Sequence, residues 1–408
     1  MPRKSLPRKG RPVPRRPWKR WLILLIVLGC GIAFWFLRRP SLPQAAFPRP
    51  IRSPQPAQPS PAAQPTSPTP IPATPAPTNA PPVEVTPAPR PVAKRTPPPG
   101  PSTNPAPTVP PIPIPTTEGF SEFQPRPATN LLEAQIALAQ RGIGSGSLDG
   151  VAGAQTESAL RAFQYQQGIE ETGRRDPDTE KALLLIRPPF KRYVVSQEDL
   201  SSLRQVPDTW LGKSEVPRLG HATLVELLGE RTHAHPHLLQ RLNPGVRWDT
   251  IVAGTELVVP DTEYPPPRKA ALIRISLAGR YLRAYDSNGN LLAHFPVSIG
   301  RVAEKRPVGA LSVVVSVKDP NYTFDPAVFP ESEEGKQIGH KLMIPPGPNN
   351  PVGVAWIGLN RPGYGIHGTP GPEQVGRTES HGCFRLANWN AEYLRRMVGV
   401  GTPVNVER

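Results

Sequence analysis

Cysteine is nearly absent from these 408 residues: Cys30 and Cys383 are the whole supply. Cys30 lies inside an apolar run, so no disulfide can form within the part of the chain that follows it. Oxidising compartments select against unpaired thiols that have no use, so a solitary Cys383 points to chemistry. Acidic residues are missing from the first 39 positions, which hold eleven Lys and Arg. Eleven of the sixteen net positive charges therefore sit there, leaving five for the rest. A surplus confined to one end argues against a nucleic-acid-binding surface and for the cytoplasmic flank of a membrane segment. Long apolar runs are also scarce. Residues 21–37 form one of seventeen uncharged residues, at the short end of the ~17–25 that span a bilayer.

Trp18, Trp21 and Trp35 stand near the ends of that run, where indoles favour the membrane interface. The reading is a basic cytoplasmic tail (1–20), an uncleaved single-pass anchor (21–37), and everything after Arg39 in the periplasm or cell-wall space. Two rival readings use the same stretch. Gln44-Ala45-Ala46 offers small residues for cleavage of a signal peptide, and Val27-Leu28-Gly29-Cys30 has a lipobox-like order. Against the second, the apolar run continues for seven residues past Cys30.

Proline is in excess, and 31 of the 60 prolines fall within residues 40–127. Alternation with Ala, Thr, Ser and Gln leaves too little apolar surface to order the segment. Residues 38–127 are therefore a disordered linker biased to polyproline II, with a reach of up to roughly 270 Å at ~3.1 Å per residue.

Residues 128–188 change to short amphipathic helices. Leu131, Leu132, Ile136 and Leu138 keep helical spacing, a second helix runs near 155–167, and Asp176-Pro177 opens a third, which continues through Leu184. Gln135, Leu138, Gly142, Leu148-Asp149-Gly150, Gly153, Thr156, Ala159, Phe163-Gln164, Gly168, Gly173 and Thr179 resemble the peptidoglycan-binding helical domain. That resemblance implies affinity for the cell wall, or packing against an adjoining enzyme. Residues 190–262 read as strand, two helices and strand. They are similar to a LysM glycan-binding module through Leu242-Asn243-Pro244 and Ala253-Gly254-Thr255, with an insertion around 206–220. His233, His235 and His237 lie close in sequence, but Pro236 interrupts any helix and no cysteine or paired carboxylate joins them. They read as a solvated turn, and no metal is expected.

From 268 to 408 the chain is strand-rich, with a hairpin across Asp286-Ser287-Asn288-Gly289-Asn290 and a late helix capped by Asn388. The expected fold class is a mostly β sandwich or barrel, preceded by the small three-helix unit and the α+β segment. His367 and Cys383 lie sixteen residues apart on either side of a Gly- and Pro-rich loop. A thiol attacks only as thiolate and needs a base in reach. Gly368 and Gly382 let backbone N–H groups approach closely, and amides near Gly382 and Cys383 suit a tetrahedral oxyanion. The residues alone support a Cys/His acyl transferase.

Ile366-His367-Gly368-Thr369-Pro370 with Ser380-His381-Gly382-Cys383-Phe384-Arg385-Leu386 resembles the signature of the L,D-transpeptidase (YkuD-type) catalytic domain. Phe295-Pro296-Val297-Ser298-Ile299-Gly300 and Pro345-Pro346-Gly347-Pro348-Asn349-Asn350-Pro351 extend the likeness. It implies that Cys383 is the nucleophile and His367 the acid/base, held by the Gly368 carbonyl. It further implies that Ser380, His381 and Gly382 shape the nucleophile turn and that Arg385 holds a substrate carboxylate. The implied reaction takes a peptidoglycan stem tetrapeptide through a cysteine acyl-enzyme to an acceptor amine, giving a 3→3 cross-link without any cofactor. L,D-carboxypeptidase or D-amino-acid exchange, and a non-catalytic wall-binding scaffold, are the alternatives. Arg306-Pro307-Val308-Gly309 departs from the family's Thr-Pro-x-Gly, in a loop expected to lie away from the motif.

Overall fold

The computed structural model describes residues 123–408 apart from 330, 380 and 381. The basic tail, the apolar run 21–37 and most of the proline-rich stretch lie outside the described residues, as do Ser380 and His381. Among the described residues no helix is long and apolar enough to cross a membrane.

Residues 123–127, counted with the linker by sequence, are among the described residues, and two of them form a strand. Arg126–Pro127 (β1) pairs antiparallel with Leu184–Leu185 (β2). The Arg126 guanidinium donates to both carboxylate oxygens of Glu133, at 2.6 and 2.7 Å. Helix α1 (Leu131–Ala139) starts where the Asn130 side chain accepts from the Glu133 amide, satisfying one of the orphan donors of a helix start. Helix α2 (Ala154–Gln167) ends on Gly168 at φ 67°. Helix α3 (Pro177–Ala182) is capped by Asp176. It stops before Leu183 and Leu184, because β2 takes the backbone that further helical turns would need.

Strands β3 (Phe190–Val194) and β4 (Glu256–Pro260) pair antiparallel and bracket the segment 190–262. Between them lie α4 (Gln197–Ser202), α5 (Trp210–Glu215), α6 (Leu224–Arg231) and α7 (Pro236–Leu242). The expected strand–helix–helix–strand order is there, with α5 carried by the insertion. Pro236 does not interrupt a helix. It opens α7 at a position where the missing N–H costs nothing, and the His235 ring accepts from the His237 amide. His233 is not in a solvated turn either. It is buried, with its ring 4.5 Å from that of Tyr264 and 5.2 Å from that of Trp389. Among the described residues no cluster of three or more His, Cys, Asp or Glu is placed to hold a metal.

Leu148, Leu160 and Phe163 from the three-helix part share one core with Leu227, Leu238, Leu257 and Val259 from the next segment. Each such burial contributes ~1.5–3 kcal/mol, so these two parts stabilise one another.

The rest is one curled mixed sheet rather than a sandwich. Its strands are β5 (Leu272–Ser276), β6 (Tyr281–Tyr285), β7 (Leu291–Pro296), β8 (Gly309–Lys318), β11 (Ala355–Leu359), β12 (Gly365–His367), β13 (Phe384–Arg385) and β14 (Pro403–Glu407). They run in the order β13-β12-β11-β8-β14-β5-β6-β7. The two edges meet through one bridge, in which Ser298 and Arg385 exchange backbone hydrogen bonds at 3.0 Å. Helix α9 (Asn388–Met397) fills the curl with Ala391, Leu394 and Met397, doing the work of a second sheet. Beside the main sheet stands a hairpin of β9 (Tyr322–Phe324) and β10 (Leu342–Ile344), with α8 (Glu333–Ile338) in its connection.

Candidate active site

Strand β12 pairs antiparallel with β11 and parallel with β13, which sets Trp356 opposite His367 and His367 opposite Arg385. Side chains two apart on a strand share a face, so Cys383, one residue before β13, lies on the face of Arg385 and His367. Sixteen residues of loop thus return the thiol to the strand that carries the imidazole.

His367 is only 5% exposed. Its Nδ1 lies 2.7 Å from the Gly368 carbonyl oxygen. A carbonyl can only accept, so Nδ1 carries the proton and Nε2 keeps its lone pair. Burial, helped by the positive charge of Arg385 and opposed by the Gly368 carbonyl, brings the imidazole pKa down to about 4. The ring also stacks on Trp356, with centroids 5.6 Å apart.

The Cys383 thiol donates to the Gly363 carbonyl at 3.4 Å. Burial pushes its pKa up, while the Gly365 N–H and the Arg385 charge pull it down. Both shifts favour the neutral forms, thiol and imidazole. Gly365 must be glycine, since a Cβ there would lie 2.6 Å from the Trp356 indole. Gly382 has φ 158°, and it approaches Gly300 so closely that a Cβ on Gly300 would stand 3.0 Å from its Cα.

Asn388 is the first residue of α9, not its cap; Ala387 takes the cap position. Its side chain is buried, and its Oδ1 accepts from the Thr369 amide at 3.0 Å. A cavity of about 320 Å³ lined by Arg141, Gln166, Leu292 and Met397 contains none of these residues.

Residues 270–406 match the family model of the "L,D-transpeptidase catalytic domain". By family model and by curated relatives, this segment is similar to L,D-transpeptidase domains. Residues 128–183 match the model described as "Putative peptidoglycan binding domain". The chain is 29% identical over 171 residues to "Putative L,D-transpeptidase YkuD" of Bacillus licheniformis, covering 41% of this chain and 84% of that one. It is 32% identical over 167 residues to "Probable L,D-transpeptidase ErfK/SrfK" of Salmonella typhimurium, covering 40% of this chain and 53% of the relative. The chain thus spans most of the Bacillus relative and about half of the Salmonella one. Among solved structures, L,D-transpeptidase 3 of Mycobacterium tuberculosis aligns at 17% identity and TM-score 0.27, over 39% of this chain and 76% of that one.

Within the transpeptidase domain, the Arg306 loop is not remote from the motif. Arg306 Nε donates to the Gly300 carbonyl at 2.6 Å, and Nη2 lies 3.9 Å from Glu379 Oε1. Arg280 also reaches Glu379, at 3.5 Å, and Arg385 Nη1 donates to the Glu379 carbonyl at 3.3 Å. The departure from the family pattern thus braces Gly300 and Glu379, close to Cys383. Tyr322, on β9, is a neighbour that sequence patterning did not single out. Burial raises its pKa, with Cys383 adding to the rise.

The 206–220 insertion meets the same hairpin. Trp210 stacks on Phe324 with centroids 4.2 Å apart. Leu219 donates to the Pro346 carbonyl at 3.0 Å, and Asn349 donates back to Leu219 at 3.2 Å. The three-helix unit docks as well: the Gly144 N–H donates to the His294 carbonyl at 2.8 Å, and Ser158 Oγ lies 3.3 Å from His294 Nε2.

Proposed function

We propose that this chain is a cell-wall L,D-transpeptidase that works through a Cys383 thioester. The observation that carries the reading is the His367 imidazole, buried with its Nδ1–H fixed on the Gly368 carbonyl, one strand from Cys383. In this scheme Nε2 takes the thiol proton as sulfur attacks the carbonyl at the L-centre of the stem diamino acid. Amides near Gly382 and Cys383 receive the oxyanion. The C–N bond to the terminal D-alanine breaks, and His367 returns the proton to the leaving amine. An acceptor amine on a second stem then attacks the thioester and loses its proton to Nε2. The C–S bond breaks, sulfur recovers the proton, and a 3→3 cross-link results. Arg385, beside the thiol, is proposed to hold a substrate carboxylate.

Favouring the neutral forms of both partners makes proton transfer part of the attack rather than a step before it. The domain at 128–183 and the segment 190–262 are proposed to bring the site to peptidoglycan, and residues 21–37 to anchor the chain at the cytoplasmic membrane with the catalytic part outside. Incubating the full-length chain with disaccharide-tetrapeptide and identifying muropeptides by mass spectrometry tests the reaction. Cross-linked dimer is expected from the native chain and none from Cys383→Ala. Dimer formed by Cys383→Ala would refute the nucleophile, and tripeptide without dimer would make the enzyme a carboxypeptidase.

A further inference from the structure

We propose that Glu230, from helix α6 of the segment 190–262, is a positioning residue for His367. The inference rests on the acid/base role proposed above for that imidazole. Glu230 is well removed in sequence from the transpeptidase domain, yet its carboxylate accepts from Asn388 Nδ2 at 2.5 Å. Its other oxygen lies 3.4 Å from His221 Nε2. Loss of hydration pushes the Glu230 carboxyl up, and the hydrogen bonds from His221 and Asn388 offset only part of that.

Asn388 is 1% exposed and uses both ends of its amide. Nδ2 donates to Glu230 and to the Pro348 carbonyl at 3.0 Å. Oδ1 accepts from Thr369 N–H at 3.0 Å and from Val354 N–H at 3.3 Å. With two pure acceptors on one end and two pure donors on the other, the amide has one orientation. The glycines around it make the room. A Cβ on Gly368 would lie 2.2 Å from Oδ1, and one on Gly353 1.9 Å.

The Gly368–Thr369 peptide is a single rigid plane. Its carbonyl oxygen accepts from His367 Nδ1, and its N–H donates to Asn388. Rotation of that plane would break both bonds together. Glu230 therefore fixes the Asn388 amide, Asn388 fixes the peptide plane, and the plane fixes the tautomer and tilt of His367. The segment 190–262 thereby supplies a support to the reaction centre itself, whatever glycan it binds.

The test uses the full-length chain with Glu230→Met and Glu230→Gln. Met, of similar size, removes the acceptor and leaves Asn388 Nδ2 with the Pro348 carbonyl alone, so some loss of stability is expected and both readouts are taken on folded protein. Gln keeps an acceptor for Asn388. Histidine ¹⁵N labelling, with His367 assigned through His367→Gln, reads the tautomer directly. A single Nδ1–H form is expected in the native chain and in Glu230→Gln, and a mixture or broadened signal in Glu230→Met. The limiting rate of Cys383 acylation by a carbapenem is expected to fall roughly 10- to 100-fold in Glu230→Met, with the half-saturating concentration unchanged and the rate restored in Glu230→Gln. A native tautomer and an acylation rate within about twofold in a folded Glu230→Met would overturn the proposal. If the native chain is not acylated at all, the transpeptidase reading fails while the tautomer spectra still decide the role of Glu230.

Discussion

Acidification should weaken this fold before it protonates most of His367. His367 and His233 are buried as neutral rings, with pKa values brought from 6.5 to about 4 and about 3 by loss of hydration. In the unfolded chain both take up a proton near 6.5. Between that value and the folded ones the unfolded state binds more protons, so stability is full above pH 6.5 and is lost as pH falls. At pH 4.5 each ring contributes a loss of about 2.5 kcal/mol relative to pH 7.5, or about 5 kcal/mol together. That is comparable to the whole stability of a marginal domain. His294, held well below its ordinary value by burial beside Arg283, acts in the same direction. Urea unfolding of the full-length chain at pH 7.5 and 4.5, followed by tryptophan fluorescence, measures the difference. His233→Phe should recover about 2.5 kcal/mol of it. Equal stability at both pH values, or NMR titration of either ring near 6.5, would refute the argument that these imidazoles are desolvated. The same shift predicts that the rate of Cys383 acylation stays flat from pH 7 to 5.5, where an ordinary imidazole would be mostly protonated.

Two substitutions probe the packing around the thiol. Gly365→Ala places a Cβ 2.6 Å from the Trp356 indole, and overpacking of that kind costs about 1–3 kcal/mol; a lowered melting temperature together with slower acylation is expected, and native values for both would show that the strand adjusts freely. Trp210→Ala removes the ring stacked 4.2 Å over Phe324. Amide exchange in β9 and β10 should accelerate roughly tenfold or more, the equivalent of about 1.5 kcal/mol from a lost aromatic contact, while the core sheet stays protected; unchanged exchange would mean that the insertion does not hold the hairpin.

Much of the site was legible because its motif is local. Ile366-His367-Gly368 and Gly382-Cys383-Phe384-Arg385 are contiguous, and the strands that present them are short, so the pairing of His367 with Arg385 follows closely from the spacing. The start of the third helix at Asp176-Pro177 was equally readable, since a cap acts within one turn. Asn388 was misread for the same reason. Asn is a favoured cap, and nothing near it in sequence says that Glu230, 158 positions away, claims its amide. Arg306 and Tyr322 reach the site only because the sheet curls until Ser298 meets Arg385.

The sequence by itself determined the chemistry on offer: one thiol beyond the apolar run, one histidine at loop distance, and glycines where backbone must come close. It also determined the order of parts, because composition changes sharply at the borders of the proline-rich stretch and of the helical unit. Only the tertiary structure decided how those groups behave. Burial, which no local pattern encodes, pushes the His367 imidazole pKa down and the Cys383 thiol pKa up. Long-range packing joined the three-helix unit and the 190–262 segment in one core and set Glu230 behind the catalytic loop. Desolvation and hydrogen bonding depend on neighbours in space, and most of those neighbours are remote in the chain.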